Sequence, residues 1–176
     1  NFATMSPEFH VRKTMKRLVV AFSGPSNSGK TTLILRIATK FIKDGLKVVV
    51  VKHDPGDKAR FDVEGKDSAK FSELGAETVV MSPTRTSYFS QRCMQIDEVV
   101  RMLGDFDILL VEGLKTLPLP RISLFRDRID EAYLPFSDAI ASNLSGEQMD
   151  KFCRVNFDIN DAAGISEWIL KNAKKM

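Results

Sequence analysis

Apolar positions along this chain follow two rhythms in turn. Leu18-Val19-Val20-Ala21-Phe22 is an unbroken apolar run and predicts a buried strand over Arg17–Ser23. Leu33, Ile34, Ile37, Ala38, Phe41 and Ile42 then recur at helical spacing, which predicts a helix over Thr31–Asp44, stopped at Gly45. Lys47-Val48-Val49-Val50-Val51-Lys52 predicts a second, fully apolar strand. Links this short between strand, helix and strand imply a parallel pair with a right-handed crossover.

The pattern then loosens. His53–Gly65 is a polar loop, Lys66–Leu74 predicts a short helix stopped by Gly75, and Glu77–Ser82 and Thr86–Ser90 predict strands around a Ser82-Pro83 turn. Ile96, Val99, Val100 and Leu103 predict a helix ending at Gly104. Ile108-Leu109-Leu110-Val111 predicts another buried strand. A proline-rich link, Leu117–Pro120, leads to a strand over Ile122–Phe125. Further strands are expected at Asp138–Ser142, followed by the loop Asn143–Gly146, and at Val155–Ile159, the last one. Asn160 or Asp161 caps a terminal helix whose apolar stripe is Ile165, Trp168, Ile169 and Ala173, with Trp168 facing the core. This alternation predicts an α/β fold of three layers, a largely parallel sheet with helices on both faces, and the Gly24–Thr31 loop between the first strand and helix makes the expected fold the P-loop NTPase kind.

Gly24-Pro25-Ser26-Asn27-Ser28-Gly29-Lys30-Thr31, followed by Thr32, sits between the first strand and the first helix. It fits the phosphate-binding loop pattern G-x-x-x-x-G-K-[ST]. Gly24 and Gly29 allow close approach of a phosphate, and the N–H groups between them form an anion nest at a helix N-terminus. Lys30 is expected to reach the outer phosphates and the Thr31 hydroxyl to ligate Mg²⁺.

In such sheets ligands bind beyond the carboxyl ends of the strands. Glu112 ends the Ile108–Val111 strand, and Asp107 begins it about 16 Å away by strand rise. Only the carboxyl end faces the phosphates, so Glu112 is the expected metal-side carboxylate, with a solvated strand-end charge as the alternative. Asp62 and Asp67 are chosen among the acids of the loop after the second strand for the metal or an attacking water, with Asp62 also the first candidate for catalysis. His53, at a strand end, is a second candidate for proton transfer or a structural histidine. Lys66 is a candidate phosphate contact. Arg121, Arg126 and Arg128 form either an arginine lid over a phosphate or part of a solvated or partner-facing strand. Alternation puts Arg121 and Ser123 opposite Ile122 and Leu124.

Composition narrows this little. The chain has 176 residues and suits one domain, expected over 15–176. Residues 1–14 read as a tag or disordered extension, with Met15 as the natural start. Net charge is +3, from 26 basic and 23 acidic side chains, too small to argue for nucleic acid. Two distant cysteines, Cys93 and Cys153, and two histidines, His10 and His53, do not make a zinc site and suggest free thiols in a reducing compartment, the cytoplasm. No apolar run is long enough to span a bilayer, so no membrane role is expected.

Several segments together resemble one family. Gly24–Thr32, Val51-Lys52-His53, Gly65-Lys66-Asp67-Ser68, Glu73-Leu74-Gly75-Ala76 and Asp107–Lys115 are similar to the MobB family, GTP-binding adapters of molybdopterin-guanine dinucleotide biosynthesis. The match runs through residues 17–115 and loosely on to Ala139–Asn143. The resemblance implies a dimeric protein that binds GTP with Mg²⁺ and hydrolyses it slowly at best. It implies a MobA-type guanylyltransferase as partner, with molybdopterin itself as a further candidate ligand. Lys30, Thr31 and Glu112 fall on the family's phosphate, metal and acidic positions. Two departures stand out. The His53–Glu64 loop is poor in histidine, and Asn143 stands where the resemblance implies an acidic residue that reads guanine. An amide offers no carboxylate to the guanine N1–H and N2–H₂ pair, so base preference, GTP or ATP, stays open. The competing classes are a small-molecule kinase, using Lys30 and the arginines, and a metallochaperone GTPase, which would want a Cys/His ligand set.

Overall fold

The computed structural model describes residues 17–59, 64–150, 152 and 154–176. Expectations placed on residues 1–14, His10, Met15, Asp62 and Cys153 lie outside them. The chain divides into two compact units, one running to His53 and resuming at Asp105, the other Asp54–Gly104.

The first unit is built on a seven-stranded sheet. Its strands are β1 (Leu18–Ser23), β2 (Val48–Lys52), β5 (Ile108–Glu112), β6 (Arg121–Phe125), β7 (Ala139–Ser142), β8 (Val155–Asp158) and β9 (Lys174–Lys175). The order is β2-β5-β1-β6-β7-β8, and every neighbouring pair on this path is parallel. β9 adds an antiparallel partner to the entry half of β1, at Leu18 and Val19, while β6 takes the exit half from Ala21 to Ser23. The chain therefore has one more strand than expected after Val155–Ile159. Two lysines carry no apolar rhythm, and only pairing with β1 makes them a strand.

Helix α1 (Lys30–Lys43) and helix α5 (Ala162–Asn172) cover one face. Leu33, Ile34, Ile37 and Phe41 of α1 and Ile165 and Ile169 of α5 pack with Val20, Phe22, Leu110, Ile122 and Leu124 of the sheet. Trp168 packs at the margin of this cluster, as its stripe position predicts. Asp161 caps α5, accepting from the Gly164 N–H at 2.8 Å. On the other face Phe125, Ile140 and Met149 gather Tyr133, Leu134 and Phe152. Tyr133 and Leu134 come from a 3₁₀ segment, Glu131–Phe136, and Met149 from a short helix α4 (Gly146–Asp150), which periodicity does not reveal.

β2 reads as fully apolar yet forms the edge of the sheet, and Val50 is 47% exposed. A run of valines specifies a strand without saying how many neighbours it has.

The second unit holds α2 (Asp67–Glu73), the antiparallel hairpin β3 (Thr78–Met81) and β4 (Thr86–Phe89), and α3 (Ile96–Met102). The expected turn is present: Ser82 Oγ accepts from the Thr84 and Arg85 N–H groups. A reciprocal capping box between Gln95 and Glu98 starts α3.

Candidate functional site

β1 lies between β5 and β6, so the loop leaving its carboxyl end opens where strand order reverses. That loop is Gly24–Gly29. Gly24 has φ +137°, and a Cβ there would collide with the Leu124 carbonyl oxygen and come within 3.0 Å of Ser28 Oγ. Gly29 has φ +96° and is the N-cap of α1. No side chain caps α1, and its first turn carries no acidic residue. Its leading N–H groups thus lack intrahelical partners and form the positive end of the helix dipole.

Two further features suit an anion. Ser28 Oγ is buried inside the loop without a hydrogen-bond partner. Lys30 Nζ donates to the loop's own carbonyls, Gly24 at 2.9 Å and Pro25 at 2.6 Å, so its ammonium lies over the loop. Burial pushes this lysine below its ordinary value, Glu112 raises it in opposition, and Lys52 lowers it further. Lys30 therefore senses both the Glu112 carboxylate and the charge that ends β2. Thr31 and Thr32 are exposed on the first turn of α1.

Glu112 is half-buried at the exit of β5, directly beside Phe22 in the strand register. Asp107 is at the other end, as strand rise requires, and its carboxylate accepts from the Lys47 N–H at 2.7 Å. His53 joins the Glu112 side: its N–H donates to the Glu112 carbonyl at 2.9 Å, and its ring lies against Gly113. Gly113 has φ +96°, and a Cβ there would be 3.1 Å from His53 Cβ. Lys66 and Asp67 belong to the second unit, as N-cap and first residue of α2, and Asp67 pairs with Lys70 at 3.3 Å.

The arginines separate. Arg121, expected on a solvated or partner-facing strand face, is fully buried, as is Ser123. The reason is topological: β6 is an interior strand, and its second face is covered by the loops that follow β5 and β6. Desolvation lowers the Arg121 guanidinium from its ordinary value, with Asp138 opposing. Arg126 instead stands at the phosphate loop. Its Nε donates to the Ser28 carbonyl at 3.4 Å, a long contact, and Nη2 would be 3.2 Å from a Cβ on Gly29. Arg126 and Arg128, with Pro25–Ser28, Asp127 and Asp130, line a cavity of about 340 Å³.

Asn143 follows β7 and is not alone. Its amide donates to Asp127 Oδ1 at 3.1 Å, and its own oxygen accepts from the Asp127 N–H at 3.0 Å. A carboxylate thus lies beside the amide, supplied from the end of β6. Sequence reasoning missed Asp127. No local signal marks it: its φ of 61° belongs to the fold, and it meets Asn143 because β6 and β7 end side by side.

Comparison with known proteins agrees with this architecture. The profile of the family described as Molybdopterin guanine dinucleotide synthesis protein B matches residues 19–143. That span covers the segments that carry the resemblance and ends at Asn143. A molybdopterin-guanine dinucleotide biosynthesis adapter protein of Haemophilus influenzae is 29% identical over 164 residues, 86% of either chain. One of Escherichia coli is 27% identical over 179 residues, 93% of this chain and 97% of that one. The crystal structure of Bacillus subtilis MobB superposes with a TM-score of 0.73 at 25% identity, covering 89% of this chain and 98% of that one.

Proposed function

Because the chain belongs to the molybdopterin guanine dinucleotide synthesis protein B family, we propose that it is a GTP-binding adapter of molybdenum-cofactor biosynthesis. Its partner would be a MobA-type guanylyltransferase, which attaches GMP to molybdopterin. The observation that carries this reading is the cradle between β1 and α1: glycine-shaped, uncapped, free of acid in its first turn, and overlaid by Lys30. Family membership favours the adapter over a small-molecule kinase or a metallochaperone GTPase.

Within that reading Gly24–Thr32 hold the phosphates, and Lys30 exchanges its contacts with the Gly24 and Pro25 carbonyls for phosphate oxygens. The Thr31 hydroxyl and the Glu112 carboxylate would hold Mg²⁺, which when bound neutralises phosphate charge. Among the described residues no three His, Cys, Asp or Glu side chains cluster. That suits a cation which keeps waters and phosphate oxygens as most of its ligands. Asn143, with Asp127 beside it, contacts the base. The second Asp127 oxygen offers the acceptor that position 143 lacks, which supports GTP over ATP. His53, against Gly113, is placed to order the strand end rather than to meet phosphate directly. Arg126 holds the back of the loop through the Ser28 carbonyl and Arg128 lines the cavity beside it, so in this reading the arginine for the outer phosphate is left to the partner. Slow turnover follows, since P-loop proteins without a positioned arginine are slower by about 10³–10⁵.

We take the protein to act as a cytoplasmic homodimer. Among the described residues no helix is long and apolar enough to cross a membrane. The hairpin of the second unit exposes Val79 and Met81 on one face, with Met81 79% exposed, an apolar surface that suits self-association. A monomer in sedimentation velocity at micromolar concentration would remove the dimer from this reading.

The test is calorimetry with GTP and ATP plus Mg²⁺, followed by GTP hydrolysis alone and with the guanylyltransferase. We expect GTP to bind more tightly than ATP, turnover alone far below the ~10 s⁻¹ typical of enzymes, and a rise when the partner is added. Equal affinity for the two nucleotides would overturn the base assignment. Fast turnover by the isolated protein, with phosphate passed to a small acceptor, would make it a kinase.

A further inference from the structure

We propose that Arg121 is a positioning residue for the metal end of the nucleotide site, a role that rests on the nucleotide-binding reading above. Its guanidinium is fully buried and holds three carbonyls of a single loop. Nη1 donates to the Gly113 carbonyl at 3.0 Å, and Nη2 donates to those of Leu114 at 2.9 Å and Leu117 at 3.1 Å. Nη1 also donates to Ser23 Oγ at 2.7 Å. Ser23 is the residue before Gly24, and Gly113 is the residue after Glu112. One side chain therefore ties the start of the phosphate loop to the segment leaving the metal-side carboxylate.

The energetics single this contact out. A buried charge is costly, and an apolar side chain of similar volume serves packing as well or better. Here the charge is retained with backbone carbonyls and one hydroxyl as its hydrogen-bond acceptors, and its Nε has no partner. The loop has one turn bond of its own, from the Leu117 N–H to the Leu114 carbonyl at 3.0 Å, yet Leu114 sits at φ +48°, a conformation that costs a bulky non-glycine residue free energy and that the Arg121 bonds help to hold. Main-chain bonds keep Arg121 itself in place. Its N–H donates to Asp138 Oδ2 at 2.8 Å, and its carbonyl accepts from the Asp138 N–H at 2.9 Å. Glu112 and the phosphate loop lie on adjacent strands, with Phe22 beside Glu112. Their relative placement within a few tenths of an ångström decides whether one cation can meet both Glu112 and Thr31. The Glu112 main chain is held by the ladder to β1 and β2 and by the His53 N–H, so releasing the Gly113–Leu117 segment acts on the placement of its carboxylate, while the phosphate cradle, built from β1 and α1, keeps its shape.

The experiment compares the affinity of a non-hydrolysable GTP analogue with Mg²⁺ and with EDTA. The proteins are the parent, Arg121→Met, Arg121→Lys, Ser23→Ala, and Glu112→Gln as the benchmark for a lost metal contact. Circular dichroism confirms that each is folded at the assay temperature. In Arg121→Met we expect the Mg²⁺-dependent gain in affinity to fall about tenfold, as in Glu112→Gln, with metal-free binding within about twofold of the parent. Arg121→Lys should recover part of the gain, because it restores the charge and up to three donors. Amide exchange over Gly113–Leu117 should quicken in Arg121→Met. Equal losses with and without Mg²⁺, or an unchanged gain, would reduce Arg121 to a packing residue. Should Arg121→Met fail to fold, Ser23→Ala decides: about a threefold loss of the Mg²⁺ gain supports the proposal, and no loss overturns it. A parent protein that binds the analogue in neither condition would sink the nucleotide reading itself, and this role with it.

Discussion

Lys30→Ala is expected to lose triphosphate binding by roughly 100- to 1,000-fold while folding normally. The ammonium supplies charge-assisted bonds to phosphate oxygens, each worth about 1.5–3 kcal/mol, and a tenfold change in affinity corresponds to about 1.4 kcal/mol. Its own contacts in this structure are two loop carbonyls, and the side chain is only partly buried. Removing it therefore leaves no cavity in the core formed by Leu33, Ile34, Ile37 and Phe41. Calorimetry with GTP and Mg²⁺, paired with thermal unfolding, reads both halves. A mutant that binds as tightly as the parent would mean that the loop does not hold a triphosphate. A mutant that unfolds early would mean that Lys30 acts on the fold.

Gly24→Ala should damage fold and site together. At φ +137° a Cβ is strained whatever the space around it, and here it also meets the Leu124 carbonyl and Ser28 Oγ. Backbone strain of about 1–3 kcal/mol and overpacking of about 1–3 kcal/mol act on the same atom. We expect a loss of about 2–4 kcal/mol, which lowers Tm by roughly 5–15 °C for a chain of this size, and triphosphate binding too weak to measure. Gly45→Ala is the comparison. It shares a positive φ, +80°, but a Cβ there meets nothing within 4 Å. If both substitutions cost the same, backbone conformation alone matters, and the close approach of Gly24 to β6 does not.

How far the chain could be read before folding depended on the range of the forces involved. Strand β1, the loop with its Lys30 and Thr31, and helix α1 are local: an apolar run, two glycines and a helical stripe fall in consecutive residues. Glu112 was legible for a related reason, since an acid just past a buried strand must emerge at one particular end of a parallel sheet. By itself, then, the sequence determined the α/β class, the glycine-lysine loop between β1 and α1, and the strand end at which Glu112 emerges.

Only the tertiary structure decided what depends on neighbours in space. Alternation put Arg121 on the face opposite Ile122 and Leu124, but it cannot say whether that face is wet. The interior position of β6, with the Gly113–Leu117 segment folded over it, makes Arg121 a buried clamp. The same holds for Val50, whose apolar surroundings in sequence conceal an edge, and for the two lysines that become β9 by pairing with β1. Asp127 and Asn143 are 16 residues apart and meet only because β6 and β7 are parallel neighbours that end together. Periodicity reports which side of an element a residue occupies. Strand order and loop paths, set by contacts distant in sequence, decide what that side touches.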